Sequence, residues 1–215
     1  MDRKYSDVSP RLVLATHNRG KVGELRSLLA AQAGLELLEP EAVVSSADLQ
    51  LEAPVEDGIS FVDNALIKAR AICKITGLPT VADDSGLAVD IMGGAPGIFS
   101  ARWCGHHGDD IANLNLLLGQ LGEVTNPEHR KGAFVCAAVL VMPDGREFAE
   151  VAEMRGTIID APRGEGGFGY DPIFVPDDIS DNRTSAELTP AEKNAISHRG
   201  KAFRQLAPQI AVVLA

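Results

Sequence analysis

The run Thr80-Val81-Ala82-Asp83-Asp84-Ser85-Gly86 constrains this chain more than any other stretch. A short apolar segment stops at two adjacent carboxylates followed by Ser-Gly. It reads as a β-strand that ends at the carboxylates. Because side chains alternate across a strand, Asp83 and Asp84 point to opposite sides, so one can face a given cleft while the other supports it. Carboxylates at the C-terminal end of a sheet strand are where open α/β proteins concentrate ligand and metal chemistry. Asp, Ser and Gly are also the residues of ordinary polar turns, and this stretch alone does not separate the two readings.

The 215 residues suffice for one large domain or for two lobes sharing a sheet, and no linker or repeat marks a boundary, so residues 1–215 read as a single domain. A formal net charge of -10 argues against a nucleic-acid backbone or an anionic membrane as the main partner, since either would be repelled at long range. Small anions stay admissible wherever basic residues are concentrated. Cys73, Cys104 and Cys136 are widely spaced without a C-x-x-C pair, which suits free thiols in a reducing cytosol. Met1 to Pro10 lacks the apolar core of a secretory signal, and the longest uncharged apolar run, Ala133 to Met142, is far short of the ~20 residues that cross a bilayer. The expectation is a cytoplasmic protein.

Arg11 to Ala15 is β-rich and leads through Thr16-His17-Asn18-Arg19-Gly20-Lys21 into a helical period of Val22, Leu25, Leu28 and Leu29. Asn18 suits an N-cap, which places Lys21 in the first turn, where the helix dipole disfavours a cation unless an anion lies nearby. A polyphosphate would be such an anion, received by the N–H groups of the helix N-terminus; the alternative is a solvated lysine. This is not a P-loop, because Ala15 stands where the first glycine is needed and Val22 replaces the metal-binding Ser or Thr. A second strand is expected at Leu35–Leu38. After the acidic loop Glu52 to Gly58, a helix capped by Ser60 runs to Thr76 and stops at Gly77. Phe61, Ala65 and Ile72 mark its apolar face. Lys68 falls on the same face, where it either snorkels past the core or meets a buried anion.

Beyond the Ser85-Gly86 turn, Leu87 to Ile91 is expected to resume the sheet ahead of the glycine-rich Gly93 to Gly97. Cys104, His106 and His107 look like metal ligands, but no second cluster completes a four-ligand zinc site, and they read as a polar loop before a helix capped by Asp109. Ile111, Leu114, Leu118 and Leu121 mark that helix's inner face. Ala133 to Met142 is apolar on both faces, as in a covered central strand, and Pro143-Asp144-Gly145 signals a hairpin into Glu147–Arg155, so the sheet is mixed. Gly164 to Gly169 fits G-x-G-x-x-G, yet Tyr170-Asp171-Pro172 follows where a dinucleotide site needs a helix. Phe168 between glycines instead offers an aromatic surface for stacking a base. Thr189-Pro190-Ala191-Glu192 is a capping box, and Ser197 caps a further helical segment with His198 and Arg199 in its first turn.

Taken together, T-x-N-x-x-K at Thr16–Lys21, A-D-D-S-G-L at Ala82–Leu87, G-G-A-P-G at Gly93–Gly97, G-G-F-G-Y-D-P at Gly166–Pro172 and S-H-R-G at Ser197–Gly200 resemble the inosine triphosphate pyrophosphatase family. They follow that family's order over nearly the whole chain. The resemblance implies a two-lobed α/β fold around a long, mixed, twisted β-sheet with a nucleotide cleft between the lobes. It also implies hydrolysis of ITP, dITP and XTP to the monophosphate and pyrophosphate with Mg²⁺, by a homodimer. It makes Asp84 the general base and, with Glu56, a Mg²⁺ ligand, and associates Asp83 with the metal. Thr16, His17, Asn18, Arg19, Gly20 and Lys21, with Lys68 and Lys193, become the triphosphate grip. Ser85, Phe168, Gly169, Tyr170, Asp171, His198 and Arg199 become the remaining substrate contacts, with Phe168 stacked on the purine. The chain departs from the family at His17, where many members carry glycine, and at Val55, where relatives often place an acidic residue. The rival readings are a Maf-type pyrophosphatase acting on other nucleotides and a nucleotide-binding sensor without catalysis.

Overall fold

The structure, a computed structural model, describes residues 10–17, 22–23 and 42–214. The expected strand at Leu35–Leu38, most of the helical period that begins at Val22, and Asn18, Arg19, Gly20 and Lys21 lie outside these residues. The strands are β1 (Leu12–Leu14), β2 (Val43–Ser45), β3 (Thr80–Val89), β4 (Lys131–Val141), β5 (Glu147–Ile158) and β6 (Phe174–Pro176). The helices are α1 (Phe61–Thr76), α2 (Asp110–Gln120), α3 (Pro190–Ile196) and α4 (His198–Leu214). The strands form one sheet in the order β2-β1-β3-β4-β5-β6. β1 runs parallel to β2 and β3, and β5 antiparallel to β6, so the α/β sheet is mixed. The hairpin at Pro143-Asp144-Gly145 closes as its turn residues require, with the Met142 N–H donating to the Arg146 carbonyl at 2.9 Å.

Strand β3 departs from expectation. It does not end at the carboxylates but continues unbroken for ten residues through Ser85-Gly86 to Val89. Gly86 serves close approach, not a turn: a Cβ there would strike the Gly97 carbonyl and the Ser100 hydroxyl. That hydroxyl accepts the Leu87 N–H at 2.9 Å. Strand β2 has no counterpart in the sequence reading, since three residues carry too little periodicity to register.

The helix ends follow their local chemistry. Ser60 accepts the Asp63 N–H and Gly77 closes α1 in the left-handed region. Asp109 accepts the Ala112 N–H, Thr189 and Glu192 form a complete capping box, and the Ser197 hydroxyl accepts the Gly200 N–H at 3.0 Å. The inner face of α2 needs correction. Leu114, Leu117 and Leu121 are buried and Leu118 flanks them, whereas Ile111 is 73% exposed. Ile111 lies about a quarter-turn off that stripe, in the helix's first turn.

The chain divides into two compact units. The first takes the described parts of Met1–Asp83, Ala138–Glu150 and Phe203–Ala215; the second takes Asp84–Ala137 and Val151–Ala202. The first has a core of Val13, Ala15, Ala65, Ala69, Ile72, Cys73, Ala82, Val139 and Val141, in which the alanines let α1 lie close to the strands. The second is built on larger side chains, among them Leu117, Phe134, Met154, Tyr170 and Phe174. There the buried Arg130 guanidinium donates to the carbonyls of Leu121, Val124, Ile158 and Ile159. Among the described residues no helix is long and apolar enough to cross a membrane.

Candidate active site

In the first unit, the segment leaving β1, the turn after β2, the acidic loop, α1 and β3 line a pocket of about 290 Å³. Thr16, His17, Ser46, Glu56, Lys68 and Asp83 supply its polar groups. The volume lies at the lower edge of the roughly 300–1,000 Å³ usual for small-molecule sites, so it suits a phosphate chain better than a whole nucleotide. Lys68 meets an anion: its ammonium donates to Glu56 Oε2 at 2.9 Å. The acidic loop is tied down where the Gly58 N–H donates to the buried Asn64 side chain at 2.9 Å. The Ser46 hydroxyl donates to the Thr16 carbonyl at 3.0 Å, and the His17 Nε2–H donates to the Leu51 carbonyl at 2.8 Å, so two bonds fix the strand-to-loop segment. Asp83 is buried and lines this pocket; its neighbour on β3, Asp84, is half-buried.

In the second unit, the Asp171 carboxylate is the hub. Its Oδ2 accepts from the Lys193 ammonium at 2.6 Å and from the Phe168 N–H at 2.8 Å. The ammonium lies 5.2 Å from the centre of the Phe168 ring, which is 61% exposed. Gly167 makes this geometry possible, since it sits at φ +73° and a Cβ there would collide with the Asp171 carboxylate. The Gly169 N–H donates to Asp110 at 2.9 Å, and the Tyr170 hydroxyl donates to the Ser100 carbonyl at 2.9 Å. Burial, aided by the Asp110 carboxylate, pushes the Tyr170 hydroxyl pKa well up, which keeps it a donor. Arg199 is buried and donates to the Ser85 hydroxyl at 3.1 Å. The buried His198 ring stacks on Phe134, with centroids 5.1 Å apart and planes at 14°. After Gly169 come a single 3-10 turn and strand β6, in place of the helix a dinucleotide site needs.

Within the first unit, then, Thr16, His17, Glu56, Lys68 and Asp83 come together in one pocket. Within the second, Phe168, Asp171 and Lys193 form one cluster, and Ser85 and Arg199 form a pair. Lys193, which the resemblance assigns to the triphosphate grip, is engaged beside the aromatic ring. Sequence reasoning missed Ser46, Asn64, Ser100 and Asp110. Asn64 carried a signal, because a polar residue next to Ala65 on the buried side of α1 needs a partner; Ser46, Ser100 and Asp110 did not stand out from ordinary surface residues.

A divalent cation fits the chemistry of the first pocket. No three His, Cys, Asp or Glu side chains form a ready cage among the described residues. Glu56 and Asp83 nevertheless present hard carboxylate oxygens to one space. One or two carboxylates, with phosphate and water oxygens completing the shell, is the usual way of holding Mg²⁺.

The Ham1 family model matches residues 12–209. A dITP/XTP pyrophosphatase of Streptomyces coelicolor is 54% identical over 206 residues, covering 95% of this chain and 98% of that protein. One from Corynebacterium efficiens is 51% identical, with 94% and 97% covered. Among solved structures, a HAM1 protein from Coxiella burnetii superposes with a TM-score of 0.83 at 36% identity, covering 95% of this chain and 100% of that one. A nucleoside-triphosphatase, or dITP/XTP pyrophosphatase, from Mycobacterium abscessus gives a TM-score of 0.74 at 48% identity over 92% and 99%. With its fold and nearly its whole length matched in this way, the chain belongs to the Ham1 family.

Proposed function

We propose that this chain is a nucleoside-triphosphate pyrophosphatase that hydrolyses the non-standard purine nucleotides dITP, ITP and XTP to the monophosphate and pyrophosphate, cleansing the nucleotide pool. The observation that carries this reading is the near-full-length likeness to proteins named for that activity. The pocket in the first unit agrees with it, since a lysine and carboxylates lining a phosphate-sized space suit anhydride hydrolysis.

The residue roles are our assignment. Thr16, His17, Asn18, Arg19, Gly20, Lys21 and Lys68 bind the phosphate chain, and Lys68 offsets the charge that builds on the departing pyrophosphate. Glu56 and the β3 carboxylates are the ligands for Mg²⁺. When bound, the ion neutralises phosphate charge and makes the phosphorus more electrophilic. Asp84 takes a proton from the attacking water on a carboxylate oxygen. Phe168 stacks on the purine; Asp171 positions Phe168 and Lys193; Gly169 and Tyr170 hold that loop; and Ser85, His198 and Arg199 supply donors toward the base. A donor facing the 6-oxo group of inosine or xanthine would face the 6-amino group of adenine unpaired, and such a mismatch discriminates strongly.

We further take residues 1–215 to work as one domain, in the cytoplasm, as a homodimer. The free thiols of Cys73, Cys104 and Cys136 support a reducing compartment, and the net charge of -10 supports a small-molecule substrate over nucleic acid or a membrane surface. The test is product analysis with a panel of ITP, dITP, XTP, ATP and GTP in Mg²⁺. Monophosphate plus pyrophosphate, with kcat/KM for ITP far above that for ATP, is the expected result. Comparable turnover of ATP and ITP would replace this reading with a general nucleotide pyrophosphatase.

A further inference from the structure

We propose that Cys104 is a reactive thiol of this chain, a site at which small disulfides form a mixed disulfide, with His106 as its base and Asp109 as the group that orients the base. The three residues lie on the turn between the 3-10 segment Gly97–Arg102 and α2, and none of them is among the groups assigned to substrate. Cys104 Sγ is 3.8 Å from His106 Nδ1 and 3.7 Å from the His106 carbonyl oxygen. On the other side of the ring, His106 Nε2 is 3.6 Å from Asp109 Oδ2. With the ring proton on Nε2, the nitrogen that faces the carboxylate, the Nδ1 lone pair faces the thiol. Nucleophile, base and orienting carboxylate thus stand in series, the arrangement that activates a weak nucleophile.

Two further bonds keep the series in place. The Cys104 N–H donates to the buried Asn113 side chain at 2.7 Å, and Asp109 is held by accepting the Ala112 N–H at 2.9 Å. The other two thiols are less accessible: Cys73 and Cys136 are buried, whereas Cys104 is partly exposed. In Cys73, burial also pushes the thiol pKa up, which lowers its thiolate fraction.

The step balances without a further oxidant. Nδ1 takes the thiol proton, Sγ attacks one sulfur of the small disulfide, the Cys104 S–S bond forms, and the incoming S–S bond breaks. Its second sulfur leaves with the electron pair as a thiolate.

The experiment treats the full native chain with excess 4,4′-dithiodipyridine, a neutral disulfide, and follows released thiopyridone by absorbance. Peptide mass spectrometry locates the adduct. The expected result is one fast thiol, Cys104, with His106→Ala slowing the reaction about tenfold. Asp109→Asn, which keeps a capping oxygen but removes the charge, should slow it less. Because His106 is exposed, its replacement leaves the fold intact, which circular dichroism verifies. Faster labelling of Cys73 or Cys136, or a slowing by His106→Ala of less than about threefold, overturns the proposal and makes Cys104 merely an accessible thiol.

Discussion

Lys68 in the first unit and Lys193 in the second each meet a carboxylate at hydrogen-bonding distance, 2.9 Å from Glu56 and 2.6 Å from Asp171. The settings of the two pairs differ. The Lys68 and Glu56 side chains keep 14% and 31% of their exposure and line a pocket. A carboxylate offers about four lone-pair sites, so Glu56 can hold Lys68 and still receive another cation. Asp171 keeps only 5% exposure, and the oxygen that takes Lys193 also takes the Phe168 N–H. Such a pair is costly to desolvate and costly to break, so it fixes geometry and does not trade partners. The same two residue types therefore do different work, and what separates them is how much solvent and how many other donors reach the carboxylate.

The strongest test of this contrast lies on β3, where the first unit gives way to the second between Asp83 and Asp84. Asp84→Asn keeps the side chain's shape while removing its charge and basicity, and should lower kcat on the order of 10²-fold or more with an unchanged circular dichroism spectrum. Turnover close to wild type would remove Asp84 from catalysis. The lysines come next. Lys68→Ala should weaken ITP binding by about 1.5–3 kcal/mol in calorimetry while sparing inosine, as expected for a lost charge-assisted phosphate contact. Lys193→Ala should weaken ITP and inosine by similar factors, because its ammonium lies against the stacking ring. Should Lys193→Ala spare inosine, the contrast between the two pairs would collapse.

Stability sharpens the comparison further. Asp171→Asn leaves a partly buried cation without its counter-charge and should lower the unfolding free energy by about 1–3 kcal/mol in urea titration. Glu56→Gln, at a wetter pair, should cost less than about 1 kcal/mol. Equal losses would mean that both pairs are structural. The smallest effect is at the surface, where the Arg183 guanidinium, followed by the Thr189 N–H and hydroxyl, lowers the Glu192 carboxyl pKa from 4.5 to about 2. A depressed folded-state pKa stabilises above the unfolded value, so the contribution of this cap is fully present above pH 4.5 and fades as pH falls from there through about 2. NMR titration of the Glu192 side chain should show that low midpoint, and Arg183→Gln should raise it.

What could be read from the sequence was what the chain decides locally. The caps at Ser60, Asp109, Thr189 and Ser197 each depend on a residue three positions away, and each is found as read. The β4–β5 hairpin was legible for the same reason. Errors arose where a distant segment overrules the local signal. Ser85-Gly86 has turn chemistry, but the strand runs on through it, with the 97–102 segment packed against Gly86. Ile111 continues an apolar spacing that the core of the second unit does not reach. In the candidate site, residue types were legible and partners were not. Glu56 sits twelve residues from Lys68 across a loop, and Ser85 lies 114 residues from Arg199. No period in the chain encodes such separations.

The division of the chain also bears on how the gene can be cut. The first unit is assembled from three separate segments and the second from two, and the changeovers fall inside β3, inside β4, inside β5 and inside α4. No single contiguous fragment encodes either unit, and every crossing point lies within hydrogen-bonded backbone. Neither half can be excised as an independent module, fused to another protein or exchanged with a relative by simple splicing. Insertions and circular permutation are better aimed at the exposed Pro143-Asp144-Gly145 turn, where cutting the backbone interrupts neither a strand nor a core.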